Sequence, residues 1–288
     1  MKEKLCVVTG ATSGIGYEVA LSLAGSGAVV IGVGRDRARC ADACARIRMQ
    51  SGNPFVEFEV ADLSDRKEIR ALAARIRRSH AAVDVLVNNA GAFSQRYQER
   101  DGVELQFAVN YLSGFLLTEE LLPLLEAAPR ARVIGVSSGS HFSGRIHWDD
   151  VFLKRRYFGL TAYDQSKLAV VLFTYELAAR LGPGSTVSTY AVDPGLVKTE
   201  IAAKGCGALV RLVWRIRTSK GISAAEAAAS ISFLATDPSV ADETGMYWKE
   251  KRPLPSSHAS YSVDDAQRLW SLSEKLCGIE FLPREAAA

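Results

Sequence analysis

A doubly wound α/β fold, with one parallel sheet of about seven strands and helices on both faces, is the class this sequence predicts, and three observations predict it. Short apolar runs rich in valine alternate with longer helical stretches, the order that builds parallel strands joined by crossover helices. The first such run, Leu5–Thr9 (LCVVT), passes directly into glycines at positions 10, 14 and 16. The 288 residues are 48% hydrophobic and 23% charged, without repeats, low-complexity linkers or an internal boundary, so one core and a single domain over 1–288 are expected.

The elements follow in order. LCVVT is apolar and β-branched along its length, as a strand covered on both faces requires. In the loop after it, Gly10, Gly14 and Gly16 allow a tight turn, a close backbone approach to a pyrophosphate, and close packing of a helix over 17–24. Thr12, Ser13 and Ile15 complete that loop, whose phosphates would sit at the positive end of the helix. A second strand over 28–33 ends at Gly34, where an acidic side chain would bind a ribose 2′-hydroxyl and repel a 2′-phosphate. Arg35 comes next, and a guanidinium grips phosphate through paired donors, which favours NADP(H) over NAD(H). Arg37 and Arg39 are close by, Asp36 pulls the other way, and Arg35 as a solvated loop charge is the alternative. Further strands are read over 55–60, 83–87, 132–136 and 187–192. Between the last two, the run over 161–181 (TAYDQSKLAVVLFTYELAARL) is helical in composition and carries Tyr163 and Lys167 four residues apart. Positions i and i+4 share a helix face, so the Lys167 ammonium is expected to draw the Tyr163 phenol below its ordinary pKa of about 10, making it a proton donor near neutral pH.

Taken together, these motifs resemble the short-chain dehydrogenase/reductase superfamily, with its Rossmann-type sheet, over nearly the whole chain. The resemblance continues in Asp62-Leu63 after the third strand, in Asn88-Asn89-Ala90-Gly91 after the fourth, and in Asn110 of the run Phe107-Ala108-Val109-Asn110. It extends to Ser137-Ser138 after the fifth strand and to Pro194-Gly195, Val197 and Thr199 after the sixth. It implies a catalytic tetrad of Asn110, Ser138, Tyr163 and Lys167. Tyr163 would exchange a proton with the substrate oxygen, Ser138 would orient that oxygen, Lys167 would hold the nicotinamide ribose, and Asn110 would anchor a proton-relaying water. Asp62 would contact adenine, Asn89, Ala90 and Gly91 would line the cofactor crevice, and the loop through Thr199 would surround the carboxamide. Within the superfamily the chain looks like the retinol dehydrogenase and carbonyl reductase group. That likeness rests on the runs over 111–118, 138–141 and 166–174, on the long stretch over 141–160 between Ser138 and Tyr163, on a last strand at 244–247 and on a terminal helix at 266–271. A carbonyl/alcohol oxidoreductase with a bulky, apolar substrate is implied. Reduction of a conjugated double bond, or a nucleotide-sensing protein without turnover, are the alternatives.

Charge and sulfur narrow the rest. A formal net charge of +3 is too small to argue for nucleic acid. Cysteines 6, 40, 44, 206 and 277 form no CxxC, so free thiols and no metal site are expected. His141 and His147 read as wall or solvent residues. No apolar stretch is long enough to span a bilayer and the first strand begins almost at Met1, so a cytoplasmic protein is expected. The segment over 200–222 matches a substrate lid, and within it 205–221 has an apolar helical face interleaved with arginines. It can close over substrate, rest on an anionic membrane, or pack as a surface helix. A short tail is expected over 284–288, and either a monomer or a homodimer is compatible with the sequence.

Overall fold

A computed structural model describes residues 1–197 and 221–279. The segment over 205–220, Thr199, Cys206 and the tail lie outside the described residues, so the readings made on them have no structural counterpart. The central sheet begins with β1 (Leu5–Thr9), β2 (Val29–Gly34), β3 (Val56–Val60) and β4 (Val85–Asn88), interleaved with α1 (Gly14–Gly25), α2 (Arg37–Ser51) and α3 (Arg66–Ser79). A small hairpin, β5 (Glu99–Arg100) with β6 (Val103–Glu104), stands apart from it. The chain then forms a short turn α4 (Leu105–Phe107), a π-helical turn (Ala108–Leu112) and helix α5 (Ser113–Ala127). Strands β7 (Ala131–Val136) and β8 (Val187–Asp193) flank the long helix α6 (Gly159–Leu181), and α7 (Ala224–Thr236), β9 (Met246–Lys249), β10 (Arg252–Pro253) and α8 (Val263–Cys277) complete the fold.

The strand order is β10-β9-β8-β7-β4-β1-β2-β3, parallel throughout except for the β9–β10 pair. The eighth strand, beyond the seven expected, is therefore a two-residue antiparallel edge. Pro253 sits in it without harm, because an edge position does not require its missing N–H. The chain turns outward in opposite directions from β1: Leu5 pairs with Val29 of β2 on one side, and Cys6 with Val85 of β4 on the other. Such a reversal opens a crevice at the carboxyl ends of the strands.

Alternate residues of β1 feed two cores. Leu5 and Val7 join the cluster beneath α3, α5 and α6, while Cys6 and Val8 join the one beneath α1, α2 and α7. This explains why the strand is apolar at nearly every position. The helix α8 is laid outside α6, where its Trp270 is buried between Phe115, Phe173 and the Arg180 guanidinium. The stretch over 141–160 is pinned into the same corner: Trp148 Nε1 donates to Asp265 and Gln165 Nε2 to the Val151 carbonyl. Cys6, Cys40, Cys44 and Cys277 are free thiols, and among the described residues no helix is long and apolar enough to cross a membrane.

Because Trp270 is the largest fully buried side chain, Trp270→Ala is expected to lower the unfolding free energy by about 3–5 kcal/mol. Urea denaturation measures it; a loss under about 1 kcal/mol would mean that α8 contributes little to the folded state.

Candidate active site

The carboxyl ends of β1, β2, β4, β7 and β8 bring the site residues to one edge of the sheet. A single buried hydroxyl ties two of those ends together: Thr9 Oγ1 donates to the Val87 carbonyl and accepts from the backbone N–H groups of Asn89 and Ala90. The Asn89 side chain returns the link by donating to the Thr9 carbonyl at 2.8 Å. Gly10 has φ of +67° and Gly14 of +60°, a region where glycine pays no steric penalty. A methyl group at Gly10 would come within 3.0 Å of both the Ala90 backbone and the Asn89 side chain, and one at Gly16 would overlap the Asn89 side chain and the Gly10 carbonyl. Spacing alone marked these glycines, but contact with the β4 loop explains two of them.

Helix α1 begins at Gly14, ahead of the 17–24 expected. Its Ser13 cap is extended and makes no side-chain capping bond, which leaves the first amides free to bind an anion. Ser13 instead accepts from the Arg39 guanidinium at 3.2 Å. Ile15 packs partly into the core beneath α1. At Gly34 a side chain would collide with the Thr12 methyl and come 2.8 Å from Cys40 Sγ, so the acidic slot is closed by packing as well as by sequence. Arg35 is exposed, whereas Asp36, its apparent competitor, caps α2 by accepting from Arg39 N at 2.8 Å. These residues fit a dinucleotide, with a cradle that tolerates only glycine and an arginine at the ribose end.

Asp62 accepts from both Ser64 N and Ser64 Oγ. Burial pushes its carboxyl up, but those hydrogen bonds, with Arg100 and Arg35 nearby, outweigh it and hold it below the usual range. The Leu63 side chain is buried in the core, so it can offer a ligand only backbone.

Tyr163 and Lys167 lie one turn apart on α6, with the Lys167 ammonium 5.6 Å from the Tyr163 ring centre. Ser138 caps the 3₁₀ turn Gly139–Ser143 at the end of β7, and its hydroxyl lies on the side of the Tyr163 phenol, whose pKa it draws down. Lys167 donates to the Val136 carbonyl at 2.8 Å and is only 4% exposed. The expected effect of lysine on tyrosine is corrected here. Burial pushes the phenol up to about 12, against the opposing Ser138 hydrogen bond, and pushes the lysine down to about 8, against the favourable charge of Asp193. Desolvation disfavours both charged forms, and in this enclosed corner it exceeds their mutual attraction.

Asn110 is held in the π-helical turn, a departure that points its amide at the chain beyond β4. It accepts from Ala92 N at 2.6 Å and donates to the Ala92 carbonyl and to Ser166 Oγ. Gly91 lies between it and Lys167, close enough that a methyl there would touch both. All four tetrad residues therefore converge, while Pro194, Gly195 and Val197 follow β8 at the neighbouring strand end, Val197 bridging to Ile222. Some participants had no signal in the sequence. Phe93 meets Tyr163 edge-on at 5.9 Å, and Asp193, 3% exposed, accepts from Gly195 N and Tyr247 Oη and pairs with Lys249 at 3.5 Å. His141, read as wall or solvent, is fully buried.

Comparison with known proteins agrees with this geometry. The profile of a family described as short chain dehydrogenase matches residues 4–205. Human retinol dehydrogenase 13 is 38% identical over 96% of this chain and 85% of its own length, and mouse retinol dehydrogenase 12 is 38% identical over 96% and 87%. A crystal structure of an uncharacterised protein from Mycobacterium paratuberculosis superimposes with a TM-score of 0.79 at 31% identity, covering 98% of this chain and 96% of the other.

The lysine is charged in the fold only below pH about 8, whereas in the unfolded chain it keeps its proton to about pH 10.4. Between these values the unfolded state binds more protons, so this group makes the protein more stable as pH rises. Lys167→Met is expected to abolish that rise and to stabilise the ligand-free protein at pH 7 by up to about 3 kcal/mol. Thermal unfolding at pH 7 and 9.5 would show it, and a variant less stable at both pH values would refute it.

Proposed function

Because this chain belongs to the short-chain dehydrogenase family, we propose that it is an NADP(H)-dependent oxidoreductase interconverting a ketone or aldehyde with its alcohol. The observation that carries the reading is the placement of Tyr163 one turn from the buried Lys167 on α6, at the end of the strand that bears Ser138. A nicotinamide cofactor held there would supply or accept the hydride.

The protein's own groups handle the oxygen and its proton. Tyr163, protonated up to high pH by burial, donates its proton to the substrate oxygen in the reductive direction and withdraws it in the oxidative one. Ser138 donates a hydrogen bond to that oxygen, at the position where negative charge develops. A positive Lys167 favours the tyrosinate left after proton transfer, and a site closed to water strengthens that attraction. Asn110, clamped to Ala92, keeps the Gly91 turn and the Lys167 corner in place. The glycine loop, Asn89, Ala90 and Gly91 would hold the pyrophosphate and ribose, and Arg35 with Arg39 a 2′-phosphate. The engagement of Asp36 as a helix cap supports the NADP(H) preference, since its carboxylate is committed to the α2 amide.

The names of the retinol dehydrogenase relatives and the exposed apolar side chains Phe142, Leu196 and Ile222 near the strand ends support a bulky, apolar, retinal-like substrate. We place the enzyme in the cytoplasm, a reading supported by the free thiols of Cys6, Cys40, Cys44 and Cys277 among the described residues.

The test is oxidation of NADPH or NADH, followed by absorbance, with a panel running from small aldehydes to retinal-like and steroid ketones. Turnover with NADPH, reduced about 10²- to 10⁴-fold by Tyr163→Phe, is expected; turnover only on conjugated double bonds, or none with any compound, would overturn the reading. Separately, Arg35→Ala is expected to weaken NADPH binding about 10- to 100-fold while leaving NADH within about twofold. Equal weakening of both cofactors would remove Arg35 from the 2′-phosphate site.

A further inference from the structure

Ser138 can orient a substrate oxygen only if the turn that carries it is fixed, and one buried side chain adds to the turn's own backbone bonds an anchor to a remote segment. The ring of His141 lies wholly inside the protein, packed at 4.6 Å against Tyr247 and at 4.2 Å against Phe142. Its Nδ1 is 2.8 Å from the Ser138 carbonyl oxygen, and its Nε2 is 3.1 Å from Ser257 N on the segment between β10 and α8. A carbonyl can only accept and an amide N–H can only donate. The two contacts therefore define one neutral tautomer, with the proton on Nδ1 and the lone pair on Nε2. Burial, the main influence on this group, also disfavours the charged ring, against the Ser138 carbonyl and Asp193.

We propose that His141 is a positioning residue for the reaction: through its Nδ1–H it holds the Ser138 backbone in the orientation that aims the serine hydroxyl at the substrate oxygen. This inference rests on the oxidoreductase reading above. The backbone bonds of the turn are local, the His141 N–H to the same carbonyl at 3.1 Å and the Ser140 N–H to the serine hydroxyl, and among the described residues the imidazole is the side chain that ties the Ser138 carbonyl to a remote segment. The second hydrogen bond, to Ser257, locks the ring from the opposite side. It links the serine turn to the segment that leads into α8, so the ring cannot rotate without losing a buried bond at each end.

The two bonds can be removed one at a time. In His141→Asn the side-chain amide reaches the place of Nδ1 and retains the donor to Ser138. In His141→Gln the amide reaches the place of Nε2 and retains the acceptor for Ser257. With NADPH and the best carbonyl of the panel, kcat, KM, NADPH affinity and melting temperature are measured for both variants and for His141→Ala. His141→Gln is expected to lower kcat about 10- to 100-fold, as small misplacements of a catalytic group do, with NADPH affinity within about twofold of wild type. His141→Asn is expected to recover most of that loss, even where its melting temperature is no higher than that of the glutamine variant.

If kcat instead follows melting temperature across the three variants, or if asparagine is no better than glutamine, His141 is a packing residue only. Should none of the variants fold, long-range ¹H–¹⁵N spectra of the wild-type imidazole decide the matter. A proton on Nδ1 supports the proposal, and one on Nε2 overturns it. Failure of the functional reading is distinct: wild-type protein without turnover on any carbonyl removes both the activity and the role of His141, whereas active wild type with equal variants removes only the latter.

Discussion

The structure depends on the hydrogen bonding around Thr9, where the ends of β1 and β4 are joined by one buried hydroxyl and one asparagine side chain. Strand order reverses at this point, so no crossover helix covers the gap, and an untied pair of loops would splay. The clasp draws the glycine loop against Asn89 and Ala90 so closely that two of its glycines have no room for a methyl group. The groups there that suit an anion are backbone amides and the start of α1, and side chains mainly hold those amides in place.

Around that cradle the protein spends stability on charge burial. Lys167 is buried and Tyr163 half-buried, with the Val136 carbonyl, the Ser138 hydroxyl and the Asp193 charge as their polar surroundings. Burial of this kind shifts each group toward its neutral form. The phenol accordingly keeps its proton well into the alkaline range. The lysine, near neutrality at mildly alkaline pH, responds to whatever charge approaches it. Buried Asp193, held by Gly195 N, Tyr247 and Lys249, supplies a fixed negative charge on the far side.

The peripheral elements serve the same corner. The long stretch before Tyr163 is fastened to α6 and α8 through Gln165 and Trp148, and Ser257 reaches His141 behind the serine turn. The segment that leads into the C-terminal helix thus meets the serine turn through one buried imidazole, while the helix itself packs Trp270 farther along α6, on Phe173 and Arg180.

The sequence by itself determined the fold class, a mostly parallel sheet with helices on both faces, and it supplied the candidates for the site. The continuous apolar run of β1, the glycine spacing after it, and Tyr163 and Lys167 at i and i+4 are local patterns, and local patterns survive as one-dimensional signals. Tertiary structure decided what depends on distance between remote segments. The pKa direction of Tyr163 follows from enclosure by β7, β8 and α6, which no spacing encodes. Asp36 reads as an acidic competitor until the cap of α2 is seen, and the clamp of Asn110 on Ala92 appears only with the π-helical turn. His141 belongs to a run that marks the likeness but not its partner, and Asp193 carries no motif. Their meaning lies in contacts spanning scores of residues, and burial, unlike periodicity, is a property that only the folded chain possesses.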